Sequence, residues 1–274
     1  MTAITVPTRV RFSNLVKAES RKYVNTRAAL VLSIFTAAVL ALATIGAIAA
    51  YPDLIKAATG TDLLFLPLAV TSILTAVIVI LPVTSEWAQR GALTTFVVEP
   101  RRERVVAAKA LVSLGVALAV WMACQLSWVV FNAAGAAAHG LEASWEFHWA
   151  RWFEFIGAFL LDVTVAFTLA LLLRNTALTV AIFMAGPIML ETLGLFGEIP
   201  AKVASWLKTP GVSLQKIFSA QAGGQTPDAT LWGQFTVGAV VWIVVPLAIG
   251  LWLNHHVEAN ESPIPAPTCV TGFL

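Results

Sequence analysis

The sequence predicts an all-α integral membrane protein, with six transmembrane helices preceded by an amphipathic interfacial elbow helix. Hydrophobic residues make up 58% of the 274 positions and charged residues only 12%, whereas a soluble domain carries about 25% charged residues. Mean hydropathy is +0.82. The basic residues are clustered between apolar stretches rather than dispersed, and the net charge of +2 is too small to point to nucleic acid. Cys124 lies in an apolar stretch and Cys269 near the C-terminus, so the two cysteines offer neither a disulfide framework nor a metal spacing.

Residues 1–27 form the first unit, a cytoplasmic tail and the elbow. Wound at about 100° per residue, Phe12, Leu15, Val16 and Tyr23 share one face, with Lys17 and Arg21 opposite. This is the pattern of a helix lying along a lipid surface with basic side chains at the headgroups. Glu19 falls on the apolar face and needs a partner, either Lys22 three residues on or a group on the first span. A frayed tail with a local salt bridge is the plainer alternative.

A helix needs about 20 apolar residues to cross the hydrocarbon, where no backbone polar group can go unpaired. Six segments within 28–257 qualify: Ala28–Ala50, Leu63–Val83, Ala110–Ala138, Trp152–Leu173, Ala177–Phe196 and Trp232–Asn254. With the N-terminus inside, the inner segments hold Arg9, Arg11, Lys17, Arg21, Lys22, Arg27, Arg90, Arg101, Arg102, Arg104, Lys109 and Arg174. The outer segments hold only Lys56, Arg151, Lys202, Lys208 and Lys216. Twelve basic residues against five predict that both termini are cytoplasmic. Trp145, Trp149, Trp152, Trp206 and Trp232 then mark the outer interface, and Trp87 and Trp252 the inner one. Residues 197–231 read as two short helices broken at Pro210-Gly211, or as a plain extracellular hairpin, and 258–274 as a disordered tail with three prolines. No internal repeat supports an inverted-repeat transporter.

The most charged stretch, 84–109, joins the second and third spans around an apolar centre, Leu93 to Val98. An acid at its start, a glycine, a hydrophobic run, a proline and then a basic run suit a surface that docks something. Glu86, Gly91, Pro100, Arg102 and Lys109, in that order and spacing, resemble the permeases of the type-2 ABC exporter family. Ala18-Glu19-Ser20-Arg21-Lys22 is similar to that family's elbow core, although Arg90-Gly91-Ala92 stands where Gly-Thr is commoner. The resemblance implies a plasma-membrane permease working as a dimer with a related or identical permease and bound to a separate ATPase subunit. ATP and magnesium would sit on that partner. It also implies that 84–109 is a coupling loop, with Glu86, Gly91, Phe96, Pro100, Arg102 and Arg104 as its contacts, and that 197–231 is an outer gate. The second and fifth spans would line the substrate path through Thr71, Thr75, Pro187 and Glu191. The arginines equally suit positive-inside retention, and Glu86 suits a helix cap. As a hydrated boundary residue, Glu86 is expected to be removable at little cost in stability.

No G-x-x-x-x-G-K-[ST] occurs, so the chain has no usual ATP cradle of its own. The adjacent His255 and His256 point to different helix faces and make a poor metal pair. Asp162 and Glu191 are the deep carboxylates, on different helices, and no catalytic pair is predicted. The expectation for Asp162 is a structural tie accepting hydrogen bonds from Gln125 or Asn132 on the third span. A non-transporting scaffold or immunity-type protein of the same fold, or an intramembrane lipid-acting enzyme, are the rival readings.

Overall fold

The computed structural model describes residues 11–88, 101–222 and 224–256; among them the regular structure is helical and no strand occurs. Six stretches are long and apolar enough to cross a membrane: Arg27–Ala49, Gly60–Trp87, Arg102–His139, Trp149–Leu173, Thr176–Phe196 and Ala229–Asn254.

Helix α1 (Phe12–Asn25) packs across the starts of α2 (Arg27–Ala49) and the long α5 (Arg102–His139). We call the end of the bundle that carries α1 proximal and the opposite end distal. Helix α2 rises to the distal end and the short α3 (Tyr51–Ala57). A 3-10 turn, Gly60–Leu64, leads into α4 (Phe65–Ala88), which returns to the proximal end. There α5 begins and climbs again. Helix α6 (Trp149–Leu173) descends, and α7 (Thr176–Leu193), carrying Pro187 inside it, ascends. Helices α8 (Glu198–Leu207) and α9 (Pro210–Ala222) form a hairpin before the last span. That span is built from α10 (Ala229–Ala239), a π turn at Val240–Val244 and α11 (Val245–His256).

The six predicted spans are present, but several begin earlier or run on longer than the apolar pattern suggested. Helix α4 continues to Ala88 and α5 starts at Arg102, so Glu86, Arg102, Arg104 and Lys109 are helical rather than members of a loop from 84 to 109. Hydropathy marks where lipid begins, whereas the hydrogen-bond ladder of a helix runs on past that boundary.

Helices α4 and α6 lie side by side at the centre with more than half of their residues buried, while α2, α7 and the last span keep mostly exposed faces. Such apolar outer faces belong to helices surrounded by lipid or by other helices. Within the core, the Trp121 ring meets Trp152 edge-on at 5.6 Å.

The distal end is pinned by a buried polar network. Tyr51 donates to Asn132 Oδ1 at 2.6 Å, and Asn132 Nδ2 donates to the Ser144 carbonyl at 2.6 Å. The Gly60 amide reaches Ser144 Oγ at 2.8 Å, and Trp128 Nε1 reaches the Gly60 carbonyl at 3.0 Å. Gly60 has φ +54°, and a Cβ there would stand 1.9 Å from the Glu146 carbonyl oxygen. Only glycine takes this position without moving the backbone.

The α8–α9 hairpin does not lie on the distal surface. A Cβ on Gly211, at its tip, would stand 2.6 Å from Asp162 Oδ1, halfway along α6. Trp242, halfway along the last span, donates from Nε1 to the Leu207 carbonyl at 2.7 Å. The tip therefore reaches the middle of the bundle. Its approach coincides with the π turn, whose Trp242 carbonyl accepts from Thr168 Oγ1 at 3.0 Å. A π turn shifts the backbone ladder and releases a carbonyl of this kind.

Candidate functional site

The strongest concentration of charge inside the fold lies at the proximal end. Leu15 and Glu19 are buried on the same side of α1, one turn apart, because that side packs onto the spans. Lys109 is two turns into α5, and Glu86 occupies the last turn of α4. These placements bring two carboxylates and two ammonium groups together. Lys109 Nζ lies 2.7 Å from Glu19 Oε2 and 2.5 Å from Glu86 Oε1. Lys22 Nζ lies 2.6 Å from Glu19 Oε1 and also pairs with Glu86. Each acid touches both bases, so the four charges cancel within one closed ring. Glu19 and Lys109 are buried, Glu86 nearly so, and Lys22 is one-third exposed.

Burial of an isolated charge costs several kcal/mol, which only close pairing offsets. Burial opposes the charge on Lys22, but its hydrogen bonds to Glu19 and Glu86 outweigh that and hold its pKa above the ordinary lysine value. Next to the ring, the Tyr23 hydroxyl and Ser113 Oγ are 2.9 Å apart and fix α1 to α5 again. Burial pushes the Tyr23 phenol up to about 12, with its Ser113 bond opposing and the nearby carboxylates reinforcing the shift. A void of about 20 Å³ lined by Glu86, Lys109, Trp87 and Asn254 adjoins the ring. It has room for one water.

A second cluster closes the proximal end from the other side. Arg102 is buried and donates to the Asn254 carbonyl. Arg174 donates to Asn254 Oδ1 at 2.9 Å, and its guanidinium carbon stands 3.8 Å over the Trp87 ring. Stacking of this kind suits the flat, weakly hydrated guanidinium. The end of α4, the start of α5, the turn after α6 and the end of α11 are thus joined to one another.

Several sequence expectations change on this geometry. Glu86 is neither a cap at a helix start nor a freely hydrated boundary residue, since both lysines of the ring hold its carboxylate. Arg102 is turned into the bundle rather than outward, and Arg104 is half-buried. Gly91, Phe96 and Pro100 lie outside the described residues. Glu19 does meet Lys22, but its second partner is on the third span, not the first.

Thr71 and Thr75 are fully buried against the chain's own helices. Thr71 Oγ1 donates to the Pro67 carbonyl at 2.7 Å and is 3.2 Å from Cys124 Sγ, and Thr75 donates to the Thr71 carbonyl at 2.8 Å. The outward side of α4 shows Phe65 and Ile73 instead. Hydroxyls that return their hydrogen bonds to the preceding turn can turn inward without penalty, so their polarity gave no guide to facing.

The expected tie between Asp162, Gln125 and Asn132 is not formed. Asn132 is committed to Tyr51 and Ser144, Gln125 Oε1 has no partner among the described residues, and Asp162 faces the tip of the α8–α9 hairpin. Glu191 is largely exposed and pairs with Lys208, which reaches it from that same tip. Pro187 is half-buried inside α7, and the Cβ position of its neighbour Gly186 meets the Trp242 ring at 2.7 Å. Sequence reasoning missed Asn254, Trp87 and Arg174 as one cluster, and Lys208 as a partner. The charge balance at one helix end was the only available signal.

No family model, curated protein or solved structure matches this chain.

Proposed function

We propose that the chain is the membrane-spanning permease subunit of an ATP-driven ABC exporter, forming the substrate path as a dimer and coupling to a separate ATPase subunit. The observation that carries this reading is the closed ring Glu19–Lys22–Glu86–Lys109. It welds α1 to both stems of the segment 89–100, so a push on that segment moves α1, α4 and α5 as one body. A permease driven by a partner's conformational cycle needs such a rigid base, because a ligand shifts an equilibrium only through elements that differ between the two states.

The rest of the reading follows from the same base. The excess of Lys and Arg at the proximal end favours a cytoplasmic location for it, with both termini inside a plasma membrane. Helix α1 then lies along the inner leaflet as an elbow, exposing Lys17 and Arg21 to headgroups. The segment that joins α4 to α5 would dock in the ATPase, and the α8–α9 hairpin would gate the far side. With Thr71 and Thr75 turned inward, the path would run along the exposed side of α7 and past Phe65 and Ile73 of α4. That surface suits a hydrophobic or amphipathic substrate.

The test is the composition of the complex purified from native membranes in mild detergent with a tag on this chain. Two permease chains and two ATPase chains, with ATP hydrolysis, are expected by mass measurement. This chain alone, with no ATPase retained under any gentle solubilisation, would overturn the assignment.

A further inference from the structure

We infer that the carboxyl group of Asp162 is a proton-binding site: it holds a proton while the α8–α9 hairpin is seated, and losing that proton releases the tip from the bundle. Helix α6 is about 37 Å long at 1.5 Å per residue, and Asp162 stands about 20 Å from its distal end. The group therefore lies at mid-depth, where it is half-buried.

Glu19 and Glu86 share Lys22 and Lys109, Glu154 meets Arg151 at 2.6 Å, and Glu191 pairs with Lys208. Asp162, by contrast, has neither an ion pair nor a hydrogen bond among the described residues. Its Oδ1 stands 2.6 Å from the Cβ position of Gly211, and the Ala158 carbonyl oxygen lies 3.2 Å from that same point. A protonated carboxyl can donate, whereas a carboxylate only accepts. A carbonyl oxygen beside Asp162 therefore suits its O–H form and opposes the anion.

Nearby charges do not supply what is missing. Lys208 turns from the tip to Glu191. Lys216, five residues beyond Gly211, is turned about 140° from it around α9. Arg151 and Glu154 lie two turns or more towards the distal end of α6 and pair with each other. The charged side chains of α4 and α5 stand at the ends of those helices, and α10, the π turn and residues 245–254 carry none. Cys124 of α5, also at mid-depth, is taken up by Thr71. The start of α9 does face the carboxyl, with amide donors and the positive end of its dipole. None of those amides donates to Asp162, and a dipole end offsets only part of the cost of an ion at this depth.

Seating and protonation are thus linked. Dissociation breaks the O–H bond and passes the proton to water, and the carboxylate left behind needs water or donors around it. Gly211 covers Oδ1 on the hairpin side, so moving the tip away opens that side. A ligand that prefers one of two states shifts the balance between them, and here the ligand is the proton. The switch belongs to this chain alone and needs no ATPase partner.

The full-length chain in lipid nanodiscs tests this by the infrared difference between wild type and Asp162→Asn. Near neutral pH the wild type should contribute the carbonyl stretch of a protonated carboxylic acid, and the band should fade as pH rises. In parallel, Thr209→Cys, buried at the tip, is placed in a chain lacking Cys124 and Cys269, with and without Asp162→Asn. The ratio of the two alkylation rates cancels the ionisation of the thiol itself. It should be close to one at neutral pH and rise about tenfold or more where the band fades, as when an open state of a few per cent becomes dominant. Absence of the band at neutral pH would overturn the proposal. So would a band that persists until the protein unfolds, or one that fades while the ratio stays near one.

Discussion

Lys109 Nζ lies 2.5 Å from Glu86 Oε1, and through that contact the start of α5 is locked to the end of α4 while both hold Glu19 of α1. Removing Glu86 leaves two lysines to share one carboxylate. Breaking a buried pair from one side costs about 3–5 kcal/mol. Glu86→Ala should therefore lower the melting temperature and the yield of folded protein in detergent. Glu86→Gln combined with Lys22→Met restores neutrality and should recover much of that loss. A Glu86→Ala protein as stable as the wild type would show that the ring is open in solution.

Tyr23 offers a spectroscopic report on the same junction. With the folded-state pKa raised to about 12 from an ordinary 10, its contribution to stability is fully present below pH 10 and is lost as pH rises through 12. Lys22, also raised, acts in the same direction. The difference in phenolate absorbance between wild type and Tyr23→Phe should show a midpoint near 12 before unfolding. A midpoint near 10 would mean that α1 is not seated on α5.

Topology can be checked with single cysteines at Lys17 and Gln225 in a chain lacking Cys124 and Cys269. Both positions are exposed, at the proximal and distal ends respectively. An impermeant thiol reagent added to intact cells should label Gln225→Cys and spare Lys17→Cys. The opposite pattern would invert the proposed orientation and remove the cytoplasmic docking segment.

Two glycines should respond oppositely to alanine. Gly60→Ala drives a methyl group into the Glu146 backbone and forces a side chain to positive φ. It should cost more than the roughly 1–3 kcal/mol of local backbone strain alone. Gly46, inside α2 with nothing within 4 Å of its Cβ position, should accept alanine with no loss, and helix propensity favours a gain of up to about 1 kcal/mol. Thermal unfolding of the two variants in one detergent checks both.

The spans and the helical character of α1 were legible in the sequence because hydropathy and 3.6-residue spacing are local properties. Lys22 three residues beyond Glu19 was legible for the same reason. The remaining contacts of the ring join positions 64, 23 and 90 residues apart in the chain. One sequence contains nothing that selects such pairs from other oppositely charged residues at the same helix end. Thr71 and Thr75 misled for a different reason: polarity was read as a sign of facing a path, although a threonine bonded to its own helix behaves as a small apolar residue. Asp162 was assigned to the wrong neighbour because nothing local indicated that Gly211 would reach the middle of α6.

That deep approach bears on how the protein is made. The α8–α9 hairpin leaves the ribosome before the span that roofs it, yet Leu207 closes its last turn with the indole of Trp242 and the Lys208 carbonyl lies against Gly238. Helix ends leave carbonyl groups without intrahelical partners, and in hydrocarbon such groups are costly. The hairpin therefore has only part of its seat, the packing of α9 on α6, until the final span inserts and supplies the indole donor. Chains stopped before Ala229 should keep residues 198–222 open to protease, and full-length chains should protect them. In this protein the C-terminal helix completes the middle of the molecule as well as its edge.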